Sequence, residues 1–240
     1  MRHNPSFALD DPDEVKRLIR ENPWASIISH TSAGELVASH YPVVLDEDAE
    51  GIVLLSHVGR PDEALHELGR HELLVIIQGP HGYISPGWYD GDGAAPVPAV
   101  PTWNFVTAHL HGIPELLSDE ENLRVLDRLV DYFEERLGEP RRLHQTPANS
   151  AYAARIVAGT VGFRLRVSRL SAKSKLSQNK PAETVARILA GLDGDGPYAS
   201  PALAAEMRRV HHPAAPVTDP STVTDLSTVA GPPTPQGCDR

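Results

Sequence analysis

Cysteine is nearly absent from this 240-residue chain; Cys238, close to the end, is the single one. No intramolecular disulfide can form, and no cysteine-based zinc site is possible. Positive charge is also scarce. Lys and Arg number 22 against 32 Asp and Glu, for a formal net charge of -10. A protein that grips a duplex unaided carries a basic face that neutralises phosphates, so this balance argues against general adhesion to nucleic acid. The opening residues lack the basic start and apolar run of a secretory signal. No stretch approaches the roughly 18 apolar residues of a membrane span. A cytoplasmic protein without a membrane partner is the expectation. Missing too are a Gly-rich phosphate loop of Rossmann or P-loop type, a G-x-S-x-G elbow and an H-E-x-x-H helix. Their absence makes dinucleotide enzymes of the usual kind, P-loop NTPases and α/β-hydrolases poor fits.

What is present is mostly strand. After a helix over residues 10–22, capped by Asp10 or Asp11 and striped by Val15, Leu18 and Ile19, four β-branched apolar runs follow at 24–31, 35–45, 52–58 and 72–79. A short helix over 61–68 separates the last two. Residues 82–85 read as a separate strand-like piece stopped by Pro86, and 90–100 as a Gly/Pro/Ala loop. In 102–113, Trp103, Phe105, Thr107, His109 and His111 share one face, and Val106, Ala108 and Leu110 the other. An amphipathic helix over 119–137 carries a capping box, Ser118 with Glu121; its apolar stripe is Leu123, Leu126, Leu129, Val130 and Phe133. A weak helix at 147–157, a strand at 160–170 and closing helices at 182–192 and 200–210 complete the body. About six sequential strands without crossover helices predict an antiparallel, mainly β, α+β barrel with peripheral helices. Residues 1–212 form that domain. Residues 213–240, rich in Pro, Thr and Ser and without an aromatic, are expected to be disordered.

Four stretches carry possible chemistry. In Ser56-His57-Val58-Gly59-Arg60-Pro61 a strand gives way to a helix; Arg60 there can pair a phosphate, or Ser56 is a cap and Arg60 a solvated side chain. Gln78 to Tyr89 combines rings, small residues and an amide after a buried strand, suited to a planar ligand or to a tight turn with surface aromatics. Val100 to Phe105 leads to His109 and His111. Two histidines at that spacing can share a metal, but no third ligand is placed by sequence, so no metal is expected. Lys173 to Pro181, with Arg164, Arg166 and Arg169, forms the one basic cluster. It suits a cofactor phosphate, a carboxylate or nucleic acid, or is a solvated strand face.

Together with Ala38-Ser39-His40-Tyr41-Pro42, these stretches resemble the PaiB-type proteins, FMN-binding negative transcriptional regulators. The matching pieces are Ser56 to Arg60, Gln78 to Tyr89, Val100 to Phe105 and Lys175 to Lys180. The resemblance implies a split β-barrel of the flavin-reductase kind and a homodimer with FMN sites shared between subunits. It also implies repression of transcription, with DNA or a DNA-bound partner met through the 164–180 cluster. For the cofactor it implies Ser56, His57, Arg60 and Lys175 around the phosphate corner, and Gln78, Trp103 and His109 along the ring. Piperazate synthases resemble the same proteins but use haem to form an N–N bond. On that reading the cofactor is haem b and His57 its axial ligand, with His40 behind it. An oxidoreductase that uses the bound flavin is a further enzyme alternative.

Overall fold

The computed structural model describes residues 1–90 and 98–212. The tail expected over 213–240 and most of the 90–100 loop lie outside the described residues.

Nine strands among the described residues form two antiparallel sheets. The first has five strands in the order β2-β1-β5-β6-β9. They are Leu36–Pro42 (β2), Trp24–His30 (β1), Leu73–Ile84 (β5), Thr102–Gly112 (β6) and Arg169–Lys175 (β9). The second has the order β3-β4-β8-β7, from Val44–Leu45, Val53–Gly59, Thr160–Arg166 and Pro114–Leu116 in turn. The helices are α1 (Pro12–Glu21), α2 (Arg60–His66), α3 (Asp119–Glu134), α4 (Pro147–Ile156), α5 (Ala182–Asp193) and α6 (Pro201–His211).

The alternation in the strands decides how the sheets face each other. Ile27, Val75, Ile77, Val106 and Leu110 from the first sheet meet Leu54, Val58, Phe163 and Leu165 from the second in one buried cluster. Burying such a side chain fully contributes about 1.5–3 kcal/mol. A one-residue slip of β6 would exchange Val106 and Leu110 for Thr107 and His109, so the core holds the register. The arrangement is that of a split barrel whose two sheets are packed but not closed into one hydrogen-bonded cylinder.

Several local expectations hold and several change. Asp11 caps α1 through its carboxylate, 2.9 Å from the Asp13 amide, and Val15, Leu18 and Ile19 are buried. Ser118 and Glu121 form the capping box of α3. The buried face of α3 is rotated from the expected stripe: Asn122, Val125 and Leu129 are buried, while Phe133 is 40% exposed. The cause is Gly162, where a Cβ would stand 2.7 Å from Asn122 Oδ1. The 82–85 piece is not separate. It continues β5 through a register shift between Gln78 and His81, a bulge that absorbs Pro80, which has no N–H to give. The 160–170 strand is two strands, β8 and β9, on different sheets.

Candidate functional site

Paired residues on adjacent strands point to the same side of a sheet. Gln78 pairs with Thr107, Ile76 with His109 and Tyr83 with Trp103, while Lys175 pairs with Phe105. Gln78, Trp103, His109 and Lys175 therefore share the outer face of the five-stranded sheet. Trp24, Leu36 and Trp103 on that face are 63%, 78% and 54% exposed.

A groove of about 500 Å³ runs over this face between Trp24, His40, Ile76, Gln78 and His81. Its walls are planar groups. Trp24 stacks on His40 at 6.5 Å and 17°, and His81 stacks on Trp103 at 6.3 Å and 27°. Tyr83 meets Trp103 edge-on. The Gln78 amide nitrogen lies 3.2 Å from His81 Nδ1, and Nδ1 itself is 3.0 Å from the Gly79 carbonyl. Further along, burial, then the N-terminal ammonium and then His111 push the His109 imidazole below its ordinary pKa. It is thus a neutral donor and acceptor near pH 7.

Around the end of β6 lies a second and larger space, a cavity of about 940 Å³. Three sequence stretches far apart in the chain converge there: Tyr89, then Thr102 and Asn104, then Lys175 to Lys180. Asn104 is fully buried, donates from Nδ2 to Ser177 Oγ at 2.9 Å, and so holds Ser177 at φ +65°. Gln178 ties the turn, accepting from the Leu176 amide at 2.8 Å and donating to the Ser174 carbonyl at 2.7 Å. The Lys175 ammonium donates to Thr102 Oγ1. Burial first and the Lys173 charge second lower the Lys175 pKa. Lys180 Nζ stands 4.7 Å over the Tyr89 ring.

The β4 residues go elsewhere. Ser56 is fully buried and donates its hydroxyl to the Pro42 carbonyl at 2.7 Å. Arg60 donates from Nε to the Ala158 carbonyl at 2.6 Å and stands between Glu63 and Asp119. The Arg60 corner packs on β2, where Gly59 N donates to Tyr41 Oη at 3.2 Å and Ser39 and Tyr41 donate to Asp62. Lys175 is on β9, the other edge strand of the five-stranded sheet. His57 is packed edge-on against Tyr41; its Nδ1 is buried without a partner, and burial lowers its pKa. His57 lines neither the groove nor the cavity, so an axial haem bond there needs the surrounding packing to open. His40 is on the groove wall.

Four of the seven nominated residues thus share one face; Ser56 and His57 lie on β4 of the other sheet and Arg60 begins α2. The basic cluster is divided too. Arg164 on β8 meets Asp46 and Glu115, and Arg169 on β9 meets Glu72. Trp24, which helps to complete the groove, and Arg187, which lines the cavity, were not singled out by sequence; His81 lies within the nominated Gln78 to Tyr89 stretch. Trp88, inside a nominated stretch, packs against α5 instead: a Cβ on Gly191 would stand 2.4 Å from its indole. Among the described residues no group of three or more His, Cys, Asp or Glu gathers to hold a metal, and no helix is long and apolar enough to cross a membrane.

Comparison with known proteins agrees with the architecture. The chain is 27% identical over 176 residues to "Protease synthase and sporulation protein PAI 2" of Bacillus subtilis, covering 72% of this chain and 80% of that protein. The fold is shared with the FAD and haem binding protein of Mycobacterium smegmatis, at TM-score 0.52 and 19% identity over 95% of this chain and 93% of the other. It is shared also with the flavocytochrome Anf3 of Azotobacter vinelandii, at TM-score 0.52 and 17% identity over 75% and 74% of the two chains. The family described as "Putative FMN-binding domain" matches residues 1–169, and the chain belongs to that family.

Proposed function

We propose that this protein holds FMN, with the flavin ring laid in the groove on the outer face of the five-stranded sheet, and that it works as a homodimer. The observation that carries the reading is the shared face. Gln78 on β5 and Trp103 and His109 on β6 share one face, where two indoles are exposed and planar side chains line a groove. The groove's volume of about 500 Å³ falls within the range of small-molecule sites. Trp103 and His81 offer a plate for stacking, and the Gln78 amide offers both a donor and an acceptor to the edge of the ring. Ile76 supplies an apolar floor. An exposed face with Trp24, Leu36 and Trp103 calls for a cover. A second copy supplies one and excludes water from the ring. When bound, the flavin provides the hydride and single-electron chemistry, and the chain provides orientation and electrostatics.

A regulatory role, which membership among PaiB-type proteins suggests, would act through a change in the dimer or through a partner. Within the 164–180 basic cluster, Arg164 on one sheet and Arg169 on the other are already paired with carboxylates, which favours action through a partner over a direct grip on a duplex.

The absorption spectrum of the purified full chain tests the proposal. The expected result is the visible spectrum of oxidised flavin, with FMN released on denaturation. A Soret band would replace flavin by haem. A colourless protein that takes up no added FMN would overturn the reading.

A further inference from the structure

The cavity at the end of β6 is built from a different side of the sheet than the groove. Asn104 points inward and is fully buried, while its neighbours Trp103 and Phe105 point outward. Lys175 lies on the outer-face side of β9, and its ammonium is turned to Thr102 at the cavity wall.

Three cations line this cavity, Lys175, Lys180 and Arg187, and no Asp or Glu is among its described lining residues. In a chain of net charge -10 that concentration of one sign is a local exception. Arg187 is fixed from α5 by two bonds of Nη2, to the Tyr89 carbonyl at 2.9 Å and to Thr184 Oγ1 at 3.3 Å. Its Nε is buried with no hydrogen-bond partner. The guanidinium lines the cavity, where an oxyanion can accept from N–H groups of its fork. The first turn of α5 adds to the field. Its N-cap, Pro181, makes no side-chain cap bond, and Pro181 and Thr184 both line the cavity. Phe7, Tyr89 and Val100 give the wall an apolar and aromatic part, beside the polar Thr102, Ser177 and Asn179.

We propose that this cavity binds a small organic anion other than the flavin, seating a carboxylate or phosphate group on Lys180, Arg187 and Lys175 and its apolar body against Phe7 and Tyr89. The site is a ligand pocket for a reaction partner or effector next to the groove. It stands on its own geometry and does not depend on the flavin reading.

Calorimetric titration of the full chain with inorganic phosphate and, separately, with benzoate tests the proposal. The expected result is saturable binding of at least one of them, one per chain, and the tighter probe identifies the group preferred. Arg187→Gln and Lys180→Gln are each expected to weaken that binding roughly tenfold or more, as removal of a charge-assisted contact does. Lys180 is exposed, so its substitution leaves the fold intact even if Arg187→Gln lowers stability. Trp103→Ala, on the outer face of the sheet, is expected to leave anion binding unchanged. No saturable binding of either probe overturns the proposal, as does binding that both cavity variants retain. So does anion binding that FMN competes away and riboflavin does not, because the cavity would then be the seat of the cofactor's own phosphate. Failure of FMN binding with anion binding intact would overturn the flavin reading alone.

Discussion

Trp103 and Asn104 are consecutive residues of β6 that serve opposite sides of the same sheet. Trp103 is 54% exposed on the outer face and stacks on His81, whereas Asn104 is fully buried and bonded to Ser177. The period of two in a strand thus divides one short stretch between the outer face proposed for the ring and an inner cavity.

Removing the buried half of that pair is expected to be the more damaging change. Asn104→Ala leaves Ser177 Oγ, 4% exposed as a residue, without its amide partner, a loss of about 1–3 kcal/mol. Thermal unfolding should show a Tm lowered by several degrees, while Trp103→Ala should leave Tm nearly unchanged. Equal Tm values for the two variants would mean that the turn at Ser177 is held by something else.

Gly191 provides a test of the packing that sets α5 and hence Arg187. A Cβ there would stand 2.4 Å from the Trp88 indole, so Gly191→Ala must displace the ring or the helix. Overpacking of this kind costs about 1–3 kcal/mol. The urea midpoint should fall, and Trp88→Leu combined with Gly191→Ala should recover part of the loss. An unchanged midpoint in the single variant would contradict the contact.

Stability should decline on mild acidification. Burial pushes His57 and His66 below the ordinary value of 6.5, with Asp62 opposing the shift at His66, and burial does the same for His109. Between those folded values and 6.5 the unfolded chain binds more protons. The contribution is therefore complete above 6.5 and is lost as pH falls through 6.5 toward the folded values. Glu206 and Glu47, whose pKa values lie below 4.5, titrate outside that window. His66 is held from both sides, its Nδ1 2.8 Å from Ser29 Oγ and its Nε2 3.0 Å from Ser39 Oγ. Urea unfolding from about pH 7.5 down to about pH 5.5 should show a falling midpoint, and His66→Gln should flatten the fall. A flat profile in the parent protein would contradict this assignment.

The uncovered sheet face predicts self-association. Ile76 lies at the groove floor beside Gln78, and Ile76→Glu places a charge where a second copy would pack. Light scattering should find a dimer for the parent chain and a monomer for the variant, with Tm little altered. A parent chain that is monomeric at micromolar concentration would remove the cover proposed for the ring.

Much of this was legible in the sequence, for physical reasons that also explain the gaps. The alternation in β6 stands in the letters, because Val106, Ala108 and Leu110 face the core while Trp103, Thr107 and His109 do not. The cap of α1 was visible because Asp11 and Pro12 act within one turn. Strand β9, Arg-Leu-Ser-Ala-Lys-Ser-Lys, has few strand-forming residues and owes its state to pairing with β6, which local propensity does not register. Ser56 looked available beside Arg60, but the β4 alternation turns it inward to Pro42. Arg187 sits in an ordinary helical pattern. Nothing local in that pattern marks it as lining a cavity, and the helix begins at Pro181 without a side-chain cap.

The most direct test of the central claim is an equilibrium titration of the full chain with FMN, read by quenching of the flavin fluorescence. The account predicts saturation at one FMN per chain. It predicts a loss of affinity of roughly five- to tenfold in Trp103→Ala, as expected for an aromatic contact of about 1 kcal/mol or slightly more, and a loss in Gln78→Ala, with Tm preserved in both. Saturable binding that neither substitution weakens would place the ring elsewhere, and no quenching at all would contradict the account.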